Sequence, residues 1–227
     1  MNETLLSFGG NVLTVGGNAL SRPLYPESVT IAGVTYPTVT INGTTWTQEN
    51  LDFIDTSGRI THYTQSDPAM GGLIPDPFSC YYNFDSANDH NGTKYGVLYN
   101  YTAIPVLEQL LATAAPGWHI PTIAEWQALF SYVSDSNQAA LKLKSTTGWQ
   151  DSGNGDGSTA FNALPAGWYS DNFSGSGALT YLASIDDDGK SGALKTQLGY
   201  RFVYNSDIPG YYGTAYTWSV RLIYRPS

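Results

Sequence analysis

The stretch from Ala115 to Leu129 constrains the fold most strongly, because it combines a turn, a short extended segment and a capped helix. Pro116-Gly117 is a turn signal, and Pro121 biases the residue before it toward extended backbone. Thr122, followed three positions later by Glu125, has the pattern of a capping box, which begins a helix. The stretch therefore predicts a short strand that leads directly into a helix.

The helix predicted near 122–134 carries apolar residues at helical spacing, which indicates one buried stripe. Its members are Ile123, Trp126, Leu129, Phe130 and Val133. We interpret Trp118 and the helical tryptophan as core aromatics, and His119 as a hydrogen-bonded, partly buried side chain rather than a catalyst. Similar patterns predict a helix near 102–114 and a third helical segment over 137–144.

The composition is typical of a protein rich in strands and loops, with 24 Gly, 17 Tyr and only 13% charged residues. The lone cysteine, Cys80, excludes a disulfide within the chain and a clustered-cysteine zinc site. A net charge of -9 with ten basic residues argues against nucleic acid as a partner. No apolar run approaches the roughly 18 residues of a membrane span, so no membrane insertion is expected. No secretory signal is visible either.

The N-terminal residues carry a short repeat in which Phe8–Thr14 is echoed by Val15–Ser21. Each copy combines a Gly-Gly-Asn turn with a short strand-like piece. We expect an arm that pairs with another chain or with the main domain; a loosely ordered leader is the alternative. Two prolines mark a linker at 21–26. The expected organisation is an arm and linker over 1–35 and a ligand-binding domain over 36–227.

The next segments predict hairpins and then a long irregular region. Asn42-Gly43 and a second Gly-containing turn near Gly33 each separate alternating apolar and polar residues. Periodicity fades from Asp52 to Lys94, where proline and glycine are frequent, so a long loop is expected there. From Phe161 onward the chain is expected to form strands separated by turns.

Two loops are rich in side-chain oxygens, the ligands that calcium prefers. The residues concerned are Asp85, Asn88, Asp89 and Asn91 in the first loop, and the segment 151–157, with Asp156, in the second. Neither spacing fits an EF-hand, and Asx-turns are the alternative reading. We therefore expect no cofactor, with calcium as the alternative.

Six motifs occur in an order that resembles one known family. They are Thr45–Leu51, Tyr95–Tyr99, Pro116–Thr122 with Glu125-Trp126, Leu143–Trp149, Phe161–Gly167 and Ser219–Arg221. Over about residues 38–224 the chain resembles the Fibrobacter succinogenes major paralogous domain, which is similar to C-type lectins. The resemblance implies an α+β, C-type-lectin-like fold, with two helices on twisted antiparallel sheets and the chain ends close together.

The resemblance does not imply catalysis. The formylglycine-generating enzymes of the same fold use a cysteine pair, and this chain has only Cys80. It also departs from the family at Tyr181–Ser184, where a Trp-Ser-Ser-like motif is usual, and at Leu222, where cysteine is usual. The three histidines lie in unrelated segments, and Asp186–Asp188 read better as a solvated turn than as glycosidase carboxylates. A carbohydrate-active enzyme is thus the least supported alternative.

The C-terminal 28 residues suggest a binding surface, because they hold six of the 17 tyrosines among Ser, Gly and Asn. This mixture is typical of antibody-like contact surfaces, although tyrosine also suits strands. The resemblance implies that these strands and the loops after Gly167 share one exposed aromatic surface. The predicted contact residues are Tyr169, Asp171, Asn172, Tyr200, Tyr204, Asn205, Asp207, Tyr211, Tyr212 and Tyr216.

These features predict a non-enzymatic, receptor-binding protein of a phage tail or a bacterial surface. Its expected partner is a host cell-surface protein or a glycan, and its expected assembly is a homotrimer formed through the arm. The alternative is a structural virion component. A near-copy of the 3′ coding region beside a reverse transcriptase gene would mark the chain as the variable protein of a diversity-generating retroelement.

Overall fold

The structure, a computed structural model, describes residues 25–67, 76–85, 95–133, 139–170, 172–185 and 216–225. It also describes the backbone of 14–15, 18–19, 136–138 and 192–195. The residues from 25 onward form an α+β unit with two sheets and three α-helices, and the described residues before them form a separate two-stranded sheet. The α+β class expected from the sequence is therefore confirmed. None of the described helices is long and apolar enough to cross a bilayer.

The first sheet joins the beginning and the end of the described unit. Its strands are β3 (Ser28–Ile31), β4 (Val34–Ile41), β5 (Thr44–Thr47), β15 (Ile223–Tyr224) and β9 (Trp118–His119), in that spatial order. Asn42 and Gly43 connect β4 and β5 with φ angles of 49° and 73°, the left-handed backbone that a two-residue hairpin needs. The predicted hairpin is thus confirmed.

The second sheet carries the remaining strands of the unit. Its order is β11 (Phe173–Ser176), β10 (Ala166–Tyr169), β12 (Leu179–Leu182), β14 (Thr217–Ser219), β8 (Leu98–Asn100), β7 (Phe78–Cys80) and β6 (Thr61–Tyr63), with β13 (Gly192–Lys195) also paired to β12. β6 and β7 lie inside the region expected to be irregular, so that expectation was wrong for these strands. Each has only three residues and pairs with a sequence-distant strand, so it leaves little local periodicity.

The three helices are α1 (Ala103–Ala114), α2 (Ile123–Val133) and α3 (Ser136–Leu143), close to the predicted ranges. The predicted capping box is present. The amide of Thr122 donates to Glu125 Oε2 at 2.8 Å, and the amide of Glu125 donates to Thr122 Oγ1 at 3.2 Å. Trp126 and Trp118 are both buried, which confirms them as core aromatics.

A buried arginine connects three of the sequence motifs. The Arg221 side chain is fully buried and donates to Asn50 Oδ1 at 2.6 Å, to the carbonyls of Thr47 and Phe161 at 2.8 and 2.9 Å, and to the carbonyl of Asn162 at 2.8 Å. Burial lowers its pKa to about 9. These bonds hold the C-terminal strand region against the loop that precedes β10, and so help to position the second sheet.

The β3–β4 hairpin contributes to the core of the unit. Residue 36 falls within β4, and both Ile31 and Tyr36 are buried in the same core cluster, so the β3–β4 hairpin belongs to this unit. Within the arm, β1 (Thr14–Val15) pairs antiparallel with β2 (Asn18–Ala19), as a Gly-Gly turn predicts.

Candidate functional site

Three of the ten predicted contact residues lie in the described part of the chain, namely Tyr169, Asn172 and Tyr216. The other seven fall outside the described residues: Asp171, Tyr200, Tyr204, Asn205, Asp207, Tyr211 and Tyr212. The described part of the candidate site lies on β10, on β12 and directly before β14.

An aromatic face, defined here as Trp168, Tyr181 and Tyr216, lies on three neighbouring strands or at their ends. Trp168 and Tyr216 stack with ring centroids 4.9 Å apart and planes 4° from parallel. Tyr181 meets the Trp168 ring edge-on at 6.0 Å and 83°. All three side chains are partly exposed. Such rings offer a broad surface that is apolar in the middle and polar at the hydroxyl groups.

Strand pairing explains why these rings meet. β10 runs parallel to β12 with Gly167 opposite Thr180, so the next residues, Trp168 and Tyr181, are neighbours on one face. Tyr216 immediately precedes β14, the strand beside β12. Tyr216 thus lies beside the other two rings, directly before β14.

Tyr169 does not join this face, and the expectation that it is an exposed contact was wrong. Its side chain is only 5% exposed, and its ring packs 4.8 Å from Phe173. Its amide donates to Thr217 Oγ1 at 2.9 Å. Because successive strand residues point to opposite faces, the exposure of Trp168 on one face directs Tyr169 into the cluster on the other. Asn172, in contrast, is exposed at the turn between β10 and β11.

A polar cluster at the start of α2 has a structural explanation. His119 Nε2 lies 3.1 Å from Glu125 Oε1, and Arg225 Nη2 lies 2.8 Å from the same oxygen. Burial alone would raise the pKa of Glu125, but hydrogen bonds from His119 and Thr122 lower it to about 2. The expectation of a hydrogen-bonded, partly buried His119 is confirmed, and its carboxylate partner also belongs to the capping box.

In the second oxygen-rich loop, one side-chain oxygen closes a turn. Asp156 Oδ1 accepts the amide of Ser158 at 2.8 Å, which is an Asx-turn. In the first loop Asp85 is described, whereas Asn88, Asp89 and Asn91 fall outside. No group of three side chains suited to hold a metal ion occurs among the described residues.

Trp168 and Tyr181 are site residues that were not predicted from the sequence. The signal for Tyr181 was its position in the alternating segment Leu179–Leu182, where it takes the place of a family motif. Trp168 lies immediately before Tyr169 in the same strand, so the two side chains point to opposite faces of the sheet. Which of them is exposed depends on the neighbouring strands, and no local pattern reports that.

Comparison with models of protein families gives a match over most of the chain. The sequence model of the Fibrobacter succinogenes major domain matches residues 39–224, which is most of the chain. No curated protein and no solved structure matches.

Proposed function

The chain belongs to the Fibrobacter succinogenes major domain family, and from its aromatic face we propose that it is a non-enzymatic ligand-binding protein. Its partner is a protein or a glycan on a host cell surface. The aromatic face and the tyrosine-rich segment that leads into it form the contact surface. We place the protein on a phage tail or a bacterial surface.

The observation that carries this proposal is the partly exposed stack of Trp168 on Tyr216. Large aromatic side chains dominate recognition surfaces, since they bury much area and have few rotatable bonds. Tyr216 ends the segment that carries Tyr200, Tyr204, Tyr211 and Tyr212. We therefore expect the ligand to contact tyrosines of this segment as well as the stack.

The contacts of two histidines favour binding over catalysis. His119 is engaged with the helix-capping Glu125, and His62 Nδ1 lies 3.0 Å from Ser79 Oγ. Ser79 is fully buried, so its hydroxyl is not accessible as a nucleophile. Both pairs have packing roles, and neither adjoins the aromatic face in the sheet order.

We further infer that the unit is a C-type-lectin-like fold. The pairing of β5, near its start, with β15, at its end, supports this inference, as do the packed helices. On the same reading the chain is a candidate variable protein of a diversity-generating retroelement, and its β1–β2 arm is a candidate trimerisation element. Sequencing the neighbouring genes and measuring the molar mass with and without residues 1–24 would test these two points.

The test of the proposed function is adsorption of the fluorescently labelled protein to a panel of bacterial cells that includes candidate hosts. Trp168→Ala and Tyr216→Ala should each weaken adsorption to a bound strain, by more than about 2 kcal/mol if the stack is a hot spot. A Tyr211→Ala/Tyr212→Ala variant should do the same, because Gly210 and Gly213 flank these tyrosines and predict an exposed turn.

The matched control is Tyr132→Ala, which removes a tyrosine that is 58% exposed on α2. It should leave both adsorption and the melting temperature nearly unchanged. Adsorption that survives Trp168→Ala, Tyr216→Ala and the Tyr211/Tyr212 double variant would refute the proposed surface. Loss of stability with intact adsorption would assign these rings to the core.

A further inference from the structure

The turn at Tyr82–Asp85, which follows β7, has a strained backbone because a residue other than glycine occupies a position with positive φ. Asp85 donates its amide to the Tyr82 carbonyl at 3.2 Å, which closes a turn with Asn83 and Phe84 at the centre. Both central residues have positive φ, 53° and 57°. Turns of this mirror-image type favour Asn followed by Gly, because a side chain at the second position crowds the backbone. Phe84 therefore occupies a position where glycine would be less strained.

The Phe84 ring belongs to a second group of partly exposed aromatic side chains, called here the turn patch: Tyr82, Phe84 and Phe173. Phe84 meets Phe173 edge-on with centroids 4.9 Å apart, and Tyr82 lies 5.1 Å from Phe173. A fully packed layer lies beneath them, made of Phe78, Cys80, Leu98 and Tyr169. The strained ring thus packs on the outer side of a buried cluster.

Uncharged polar groups accompany this patch. Asn83 and Asn172, each directly before one of the two phenylalanines, are both exposed. A carboxamide offers two donors and an acceptor, which suit neighbouring hydroxyl groups. Asp85, also exposed, adds a carboxylate that accepts from hydroxyls and repels anions. Aromatic rings beside carboxamides match a sugar, which has apolar C–H faces and a rim of hydroxyls.

We propose that the turn patch is a binding site for a neutral saccharide, distinct from the aromatic face. The two lie on opposite faces of β10, since Trp168 belongs to the aromatic face and the adjacent Tyr169 packs against Phe173 of the turn patch. Strain retained at Phe84 is consistent with a functional role for its ring. The protein then has two recognition surfaces, of which this one takes an uncharged sugar.

The test uses the full chain on an array of neutral oligosaccharides and sialylated counterparts, followed by calorimetric titration with the best-bound neutral sugar. Phe84→Asn and Phe84→Gly both keep a residue that tolerates positive φ while removing the ring. Each should weaken binding about tenfold or more. Their melting temperatures should fall by no more than about 4 °C, because relief of strain offsets lost packing.

Asn172→Ala should weaken binding of the same sugar without altering the turn at Tyr82–Asp85, and the control Tyr132→Ala, on α2, should leave it unchanged. The proposal is overturned if no neutral oligosaccharide on the array binds, if only sialylated ones do, or if binding is intact in both Phe84 variants. Saccharide binding that is lost in Trp168→Ala but kept in Phe84→Asn would also overturn it, and would leave the proposed function of the aromatic face standing.

Discussion

Replacing the buried arginine tests the claim that Arg221 holds the motifs together. In Arg221→Met the side chain keeps most of its volume and loses all of its donors. Three buried acceptors then lose a partner: Asn50 Oδ1 and the carbonyls of Thr47 and Phe161. The fourth, the carbonyl of Asn162, is only partly buried and can recover a bond to water.

The expected magnitude follows from these contacts. A buried polar group left without a partner costs about 1–3 kcal/mol, and the methionine recovers part of this because it carries no charge to desolvate. We therefore expect the free energy of unfolding to fall by about 3–5 kcal/mol, a large share of the roughly 5–15 kcal/mol that stabilises a typical domain. Arg221→Lys keeps the charge, but a single ammonium cannot reach all of these acceptors, so it should cost at least about 2 kcal/mol.

The assay is urea unfolding followed by tryptophan fluorescence and circular dichroism, with linear extrapolation to water. Arg225→Met is the matched control, since the Arg225 side chain is 66% exposed and makes a surface ion pair with Glu125. It should change stability by no more than about 1 kcal/mol. If Arg221→Met proves as stable as Arg225→Met, the buried hydrogen bonds do not hold the fold and the reasoning fails.

Three further predictions concern pH, backbone space and metal. The folded pKa of Glu125, about 2, lies below its ordinary value of 4.5, so its carboxylate stabilises the fold above pH 4.5 and loses this contribution as pH falls toward 2. Glu125→Gln should therefore reduce the loss of stability between pH 4.5 and 2 by about 1–2 kcal/mol, after allowance for screening at a partly exposed group. A variant that loses as much stability in acid as the parent protein would contradict this. Gly96→Ala should lower the free energy of unfolding by about 2–3 kcal/mol, because φ is +77° and a Cβ would lie 2.8 Å from the Leu51 carbonyl oxygen. Gly33→Ala, which has open space around the added Cβ, should lower it by only about 1 kcal/mol. Equal losses in the two variants would refute the steric argument. EDTA should leave the melting temperature unchanged if the oxygen-rich loops are only turns, and a large drop in temperature would reveal a bound calcium ion.

Local signals in the sequence were sufficient for several elements. The capping box of Thr122 and Glu125 and the Asn42-Gly43 hairpin depend on hydrogen bonds between residues a few positions apart, so the residue types themselves determine the conformation. The apolar stripe of α2 is equally local, and its burial follows from helical spacing. The order of family motifs then predicted the α+β class.

The candidate site was predicted less well, for a physical reason. Tyr169 and Trp168 are adjacent large aromatics, and strand alternation requires only that they face opposite ways. Which face is covered depends largely on β7, β8 and the turn at Tyr82–Phe84, all of them distant in sequence, and only partly on the nearby Phe173. The exposure assigned to Tyr169 was wrong for that reason. Tyr181 was missed because the parallel pairing of β10 with β12 brings Trp168 beside it.

The sequence alone determined the helices, the capping box of α2, the tight hairpins and the family, because each rests on residue types at short, regular spacing. Only the tertiary structure decided that a buried arginine joins motifs some 60 and 170 residues away along the chain. It also decided that three aromatic rings from separate strands share a partly exposed face. Pairing between distant strands sets these arrangements, and its energy comes from burial and hydrogen bonds that no single segment contains.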